Sequence, residues 1–287
     1  MEGRTVLVIG TGTMGRGIAQ VSAQAGYRTL VHDASEQALS RSLVTIQQSV
    51  RKRTQRGEWD APTEQKILAR LHPCDLSEKA LAQADVIIEA IPEHVELKCD
   101  LFRTLDAHCR PEALLASNTS SIPITLLAAV TKRPERVAGL HFMNPVPTMK
   151  GVEIVQGRVT SPNTMEAARG FVRSLGKIPI VAKDYAGFIT SRILNIYLNE
   201  AAYTVMDGND PVDVDNAAQH CFNMPMGPCR LMDMCGIDIV VFVLGILREE
   251  FGDKFLCAPV LKQMVRAGHL GVKTGRGFYT YENGKRA

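Results

Sequence analysis

The sequence predicts an α/β domain built on a doubly wound, mostly parallel sheet, followed by an all-α domain, with the division at residues 1–183 and 184–287. Three observations carry this expectation. Short, β-branched apolar runs alternate with amphipathic helical segments from Thr5 to Ala182, the alternation that builds parallel sheets. The first of these runs passes directly into a glycine-rich turn, Gly10-Thr-Gly-Thr-Met-Gly15. Beyond Asp184 the β pattern stops and almost every segment has helical character.

Composition narrows the class. A chain of 287 residues can bury a sizeable core. Hydrophobic residues at 45% and charged residues at 22% are ordinary for a soluble globular protein. A net charge of +3 is too weak to attract nucleic acid in general. Met1-Glu-Gly-Arg-Thr5 runs straight into a strand, leaving no room for a signal peptide. The longest apolar run, Ile239 to Leu247, is interrupted by Gly245 and is too short to span a bilayer, so no membrane partner is expected. The seven cysteines are scattered, odd in number and form no Cys-x-x-Cys pair. That argues against a disulfide scaffold and against a thiolate metal site, and for a reducing, cytoplasmic compartment.

The elements follow in order. Thr5 to Ile9 suits a buried parallel strand. In the turn after it, Gly10 permits the tight bend, Gly12 lets backbone approach a pyrophosphate, and Gly15 lets the next helix lie close on the strand. Thr13 and Met14 complete this turn, and the helix runs on to Gly26. Its N-terminus offers free N–H groups and the positive end of a dipole to phosphates. The next strand, Arg28 to Asp33, ends in an acid at the distance expected for a ribose partner. Asp33 would accept from the ribose hydroxyls and repel a 2′-phosphate, which makes the site a Rossmann-type one for NAD rather than NADP.

A helical pair comes next, Ser35 to Arg56 and Thr63 to Leu71, split at Gly57. The first closes on the basic run Arg51-Lys-Arg-Thr-Gln-Arg56, which reads by itself as a solvated face. Asp85 to Ile91 is a buried strand followed by Pro92-Glu93 and a helix from His94 to Cys109. Ala113 to Ser117 is another strand, running out into Asn118-Thr-Ser-Ser121. Those serines suit either a ligand contact or the N-cap of a helix starting near Pro123. Ligands of open parallel sheets bind beyond the carboxyl ends of the strands, and Glu93, Ser120 and His141 all lie just past such ends.

His141 comes just before the end of the strand Val137 to Phe142. Asn144, Pro145 and Pro147 stop the ladder, and a second apolar segment, Val152 to Val155, returns with Glu153 near its start. A carboxylate brought back to an imidazole fixes its tautomer and stabilises the protonated ring, so the two make an acid–base pair. A helix from Ser161 to Gly176 and a last strand, Ile178 to Ala182, complete the α/β part. After the joint Asp184 to Phe188, helices are expected over Ile189–Met206, Val212–Phe222, Ile237–Phe251 and Phe255–Ala267. The third is apolar on most sides, which predicts a subunit interface. Lys273 to Tyr279 is too glycine-rich for a helix and reads as an ordered loop.

With these residues in view, the chain resembles the 3-hydroxyacyl-CoA dehydrogenase family, and most of all its short bacterial 3-hydroxybutyryl-CoA members. The resemblance rests on Gly10 to Gln20, Glu89-Ala-Ile-Pro-Glu93, Ser117-Asn-Thr-Ser-Ser121, Gly139 to Pro147, Pro225-Met-Gly-Pro228 and Lys273 to Tyr279, and covers essentially the whole length. It implies NAD-dependent oxidation of a 3-hydroxyacyl-CoA, with His141 as base, Glu153 as its partner, and Ser120 and Asn144 holding the C3 oxygen and nearby cofactor atoms. By the same resemblance Glu93, Lys98 and Lys273 match cofactor contacts, while Ser49 and Arg56 fall where the family meets CoA. It also implies a homodimer formed through the C-terminal helices. The pattern departs at two positions: Ser191 replaces the usual Asn that helps hold the acyl group, and Ala186 replaces a Pro. A dehydrogenase of a small hydroxy acid without CoA, gulonate- or carnitine-like, and a non-catalytic NAD-binding protein are the alternatives.

Overall fold

The computed structural model describes residues 4–282 and 284–287. They form two compact units, one reaching to Tyr185 and one starting at Ala186.

The first unit begins β1 (Thr5–Ile9), α1 (Thr13–Gln24), β2 (Arg28–His32), α2 (Glu36–Gln55), α3 (Ala61–Ala69) and β3 (Leu71–Pro73). It continues α4 (Glu78–Leu81), β4 (Val86–Glu89), α5 (Val95–His108), β5 (Leu114–Ser117) and α6 (Ile124–Ala129). It closes with β6 (Val137–Phe142), β7 (Gly151–Gln156), α7 (Pro162–Ser174) and β8 (Ile178–Lys183). The strands form one sheet in the order β3-β2-β1-β4-β5-β6-β7-β8. Every ladder is parallel except β6 against β7. Val6, Val8, Val31, Ile88, Ala116, Leu140 and Ile154 of the sheet bury against Ile18, Val21, Phe171 and Val172 of the flanking helices. Because β1 pairs with both β2 and β4, strand order reverses there, and the crevice for a ligand opens beyond their carboxyl ends.

Two expectations are corrected here. The second helix of the inserted pair stops at Ala69, and Leu71 instead pairs with Thr29 as the start of β3. Three residues are too few to show a period, and Pro73 is tolerated because this strand lies at the edge of the sheet. The serines after β5 do not cap α6 either. Asp184 accepts from its first-turn amides, Ile124 N at 2.9 Å and Thr125 N at 2.7 Å.

The second unit is α8 (Thr190–Met206), α9 (Pro211–Cys221), α10 (Pro228–Cys235), α11 (Ile237–Phe251) and α12 (Pro259–Arg266), with a short terminal hairpin. Its core gathers Leu198, Met232, Ile237, Leu244, Leu247 and Leu261. The sequence reading left out α10, whose N-terminus is hidden among prolines, and began α12 at Phe255 although Asp253–Phe255 is a separate 3-10 turn. The glycine-rich loop is ordered by a buried carboxylate: Asp233 accepts from Phe278 N, Tyr279 N and the Tyr281 hydroxyl. Helix α11 buries Ile237, Val240, Leu244 and Leu247 but leaves Ile239 and Phe242 half exposed, so an apolar face remains uncovered within the chain. Among the described residues no helix is long and apolar enough to cross a membrane.

Candidate active site

The glycine-rich turn joins β1 to α1 at the point where strand order reverses. Gly10 has φ +94°, and a Cβ there would come 2.5 Å from the Ala90 carbonyl oxygen at the end of β4. A Cβ on Gly15 would come 1.8 Å from the Gly10 carbonyl oxygen, so helix and turn are in backbone contact. A Cβ on Gly12, by contrast, would meet nothing within 4 Å. Gly12 is also the N-cap of α1 and gives no side-chain cap to its amides. An open approach onto uncapped N–H groups fits a pyrophosphate, and Gly12 and Thr13 are exposed there while Met14 is half-buried. The expected result of Gly15→Ala is a backbone clash costing at least about 2–3 kcal/mol, read as a lower melting temperature together with lost NADH binding.

Just beyond β2, Asp33 is held by three donors: Thr11 N at 2.8 Å, Thr11 Oγ1 at 2.7 Å and Ser35 N at 2.9 Å. Burial pushes this carboxyl up, but the hydrogen bonds from Ser35 and Thr11 outweigh it and hold Asp33 below the usual carboxylate range. It is therefore a fixed, ionised acceptor beside the dinucleotide turn. These features fit NAD, whose adenosine ribose hydroxyls need such an acceptor.

His141 and Glu153 are directly opposed in the antiparallel ladder of β6 and β7. Opposed residues in such a ladder put their side chains on the same face, which is why the hairpin delivers one to the other. Glu153 is fully buried and His141 nearly so, with His141 Nδ1 at 2.7 Å from Glu153 Oε2. A carboxylate only accepts, so the Nδ1 proton points at Glu153, and in the neutral ring of that tautomer Nε2 is the nitrogen left as an acceptor. Ser120 Oγ lies 3.0 Å from that Nε2, within hydrogen-bonding distance. Asn118 Oδ1 accepts from Phe142 N at 2.9 Å and ties the end of β6 to the chain leaving β5.

Glu93 organises the loop that carries Ser120. Its Oε1 accepts from the hydroxyls of Thr119 and Ser121 and from the amides of Ser120 and Ser121. Burial pushes the Glu93 carboxyl up, but the Lys98 ammonium and the Thr119 and Ser121 hydroxyls outweigh it and hold it below the usual range. The ammonium of Lys98, an expected cofactor contact, is buried, donates to Glu89 and the Ile91 carbonyl and lies 3.2 Å from Glu93 Oε2. Glu89 is itself fully buried and accepts from Ser117 Oγ and Ile91 N. Lys98 is thereby joined to the loop that carries Ser120 through Glu93. The sequence reading missed Thr119, Ser121, Asn118 and Glu89 as parts of this network. The signal was present in the two blocks Glu89–Glu93 and Ser117–Ser121, which end neighbouring parallel strands.

The remaining expected residues are not all drawn to this point. Asn144 is exposed just after β6, and its side chain has no partner among the described residues. Ser49 and Arg56 lie two turns apart at the end of α2, on one helical face. Within that basic run Arg51 pairs with Glu64, and Arg53 pairs with Glu58 and stacks on Trp59. Arg56 is exposed and unpaired among the described residues. Two further residues belong to the second unit. Ser191 lies in the first turn of α8, where its carbonyl accepts from Asn195 Nδ2 at 2.8 Å. Lys273 Nζ lies 2.6 Å from both oxygens of Asp238. No cluster of three or more His, Cys, Asp or Glu side chains among the described residues could hold a metal ion.

Comparison with known proteins gives the same picture. Residues 5–185 match the family described as 3-hydroxyacyl-CoA dehydrogenase, NAD binding domain, and residues 187–281 match that family's C-terminal domain. The chain is 43% identical over 278 residues to a probable 3-hydroxybutyryl-CoA dehydrogenase of Deinococcus radiodurans, covering 96% of this chain and 99% of that protein. It is 39% identical over 284 residues to a probable 3-hydroxybutyryl-CoA dehydrogenase of Bacillus subtilis, covering 98% and 99%. The crystal structure of (S)-3-hydroxybutyryl-CoA dehydrogenase from Ralstonia eutropha superposes with a TM-score of 0.93 at 39% identity, over 98% of this chain and 99% of that one. An uncapped dinucleotide turn at the switch point, a histidine set against a buried glutamate, and matches over both halves make this chain a member of the 3-hydroxyacyl-CoA dehydrogenase family, with an NAD-binding domain followed by the family's C-terminal domain.

Proposed function

We propose that the protein oxidises the 3-hydroxyl of short-chain (S)-3-hydroxyacyl-CoA thioesters, 3-hydroxybutyryl-CoA above all, and catalyses the reverse reduction with the same groups. The observation that carries this is His141, held between Glu153 and Ser120 at the carboxyl end of β6, in the sheet that bears the dinucleotide turn. The names of the most similar relatives point to the same substrate.

NAD, when bound, supplies the hydride acceptor. Gly10, Gly12, Thr13, Met14 and Gly15 would hold its pyrophosphate, and Asp33 its ribose. Glu93, Ser120, Asn144 and, from the C-terminal domain, Lys273 would contact its remaining parts. The Ser120–Nε2 contact marks where a hydroxyl meets the imidazole. The substrate's C3 hydroxyl takes up this position, with Ser120 and Asn144 donating to its oxygen, and gives its proton to Nε2. Glu153 keeps Nδ1–H in place and faces the positive charge that forms on the ring, so proton transfer leaves no uncompensated buried cation. In the reverse direction the imidazolium returns the proton.

Arg56, unpaired at the end of α2, suits a phosphate of CoA, with Ser49 beside it. Replacing Arg56 with Ala is expected to raise KM for the acyl-CoA by roughly 10-fold with kcat nearly unchanged, an effect that shrinks as salt rises. Ser191 would meet the acyl group with one hydrogen bond. The uncovered face of α11 with Ile239 and Phe242 supports a homodimer through the C-terminal domain, and we assign the protein to the cytoplasm. The test is NAD reduction with (S)- and (R)-3-hydroxybutyryl-CoA. Turnover of the S ester is the expected result, and turnover of neither ester sinks the proposal.

A further inference from the structure

We propose that Lys177 is a positioning residue for this reaction, holding the turn at residues 145–149, and with it Asn144, in place at the end of β6. The proposal rests on the reaction read above. Lys177 lies between α7 and β8 and is 8% exposed. Its ammonium donates to two carbonyl oxygens of one turn, those of Val146 and Met149, each at 2.6 Å. Burial, with the Arg53 guanidinium adding to it, pushes this ammonium below the usual lysine range. An apolar side chain would fill the same space without that desolvation cost, so the contribution of the charge lies in what it fixes.

The turn has little else to define it. Thr148 N and Met149 N both donate to the Pro145 carbonyl at 3.0 Å, and no ladder passes through these residues. On its other side Val146 is buried against α1, so close that a Cβ on Gly17 would come 2.7 Å from the Val146 Cβ. The turn is therefore clamped between Lys177 and the helix that carries the dinucleotide turn. Asn144 stands at its head with no side-chain partner among the described residues, so its place is inherited from the turn. In this geometry Lys177 acts two steps from the chemistry: it fixes the Val146 and Met149 carbonyls, and they fix the residue that meets substrate and cofactor.

The test compares wild type, Lys177→Met, Asn144→Ala and the double variant, with acetoacetyl-CoA and NADH. Lys177→Met alone is expected to lower kcat by about 10- to 100-fold, the scale of a misplaced contact. In the Asn144→Ala background the same substitution should add less than about threefold, because the turn has no contact left to place. Wild-type activity with a Lys177→Met kcat within about twofold, or losses that multiply in the double variant, overturns the proposal. A wild type inactive on acyl-CoA esters overturns the reaction and the proposal with it. If Lys177→Met does not fold, hydrogen exchange on the wild type and on the milder Lys177→Gln variant decides. Faster exchange of the Thr148 and Met149 amides in a folded Lys177→Gln variant than in the wild type supports the clamp, and equal rates in the two overturn it.

Discussion

His141→Ala and His141→Gln are expected to lower kcat by about 10²- to 10⁴-fold in both directions while leaving NADH affinity near that of wild type. The asymmetry follows from the geometry. The dinucleotide turn and Asp33 sit beyond β1 and β2, and their contacts do not include the imidazole. The groups bonded to the ring do not replace it as proton acceptor: one is a hydroxyl at 3.0 Å from Nε2 and the other a carboxylate bonded to the other ring nitrogen at 2.7 Å. Stopped-flow oxidation of NADH separates the two quantities. A fully active alanine variant refutes the assignment of His141.

The second large effect belongs to Glu153. Replacing it with Gln keeps volume and burial but gives the ring a neutral partner that can also donate. If the amide N–H points at Nδ1, the proton moves to Nε2 and the acceptor facing the substrate is lost. If the amide oxygen points there, the tautomer is right but the imidazolium forms without a compensating charge. Either way kcat is expected to fall by about 10²- to 10⁴-fold with substrate KM much less affected. Because the two residues act as one unit, His141→Ala and Glu153→Gln combined should cost little more than His141→Ala alone. Multiplicative losses in the double variant would show that Glu153 has a separate role.

Much of this was legible before the fold was known, for local reasons. The β1 run, the three glycines and the acid ending β2 lie within one βαβ unit, where strand, turn and helix impose their own spacing. His141 and Glu153 were paired from sequence because two prolines force a turn and a short hairpin brings its arms together. What escaped was set by contacts across the sheet. That Glu93 binds Thr119 and Ser121 depends on β4 and β5 being neighbours, and that Lys98 is internal depends on Glu89 lying beneath it. The cap of α6 comes from Asp184, far along the chain, and no local pattern announces it. Lys177 stands in no motif and has no periodicity to mark it. Only its two carbonyl partners across the β6–β7 turn distinguish it. Helix α10 is short and opens on Pro228, at a position where the missing N–H costs nothing, so the proline does not prevent the helix that the sequence reading left out.

In the proposed reaction C3 of a CoA thioester exchanges a hydride with the nicotinamide while His141 moves the proton of the C3 oxygen, and CoA itself is recognised. The most direct measurement is the loss of NADH absorbance with acetoacetyl-CoA, run beside free acetoacetate at matched concentration. Rapid oxidation with the thioester and none with the free acid is the predicted result. NADH binding without turnover of the thioester, or equal rates with the free acid, would contradict it.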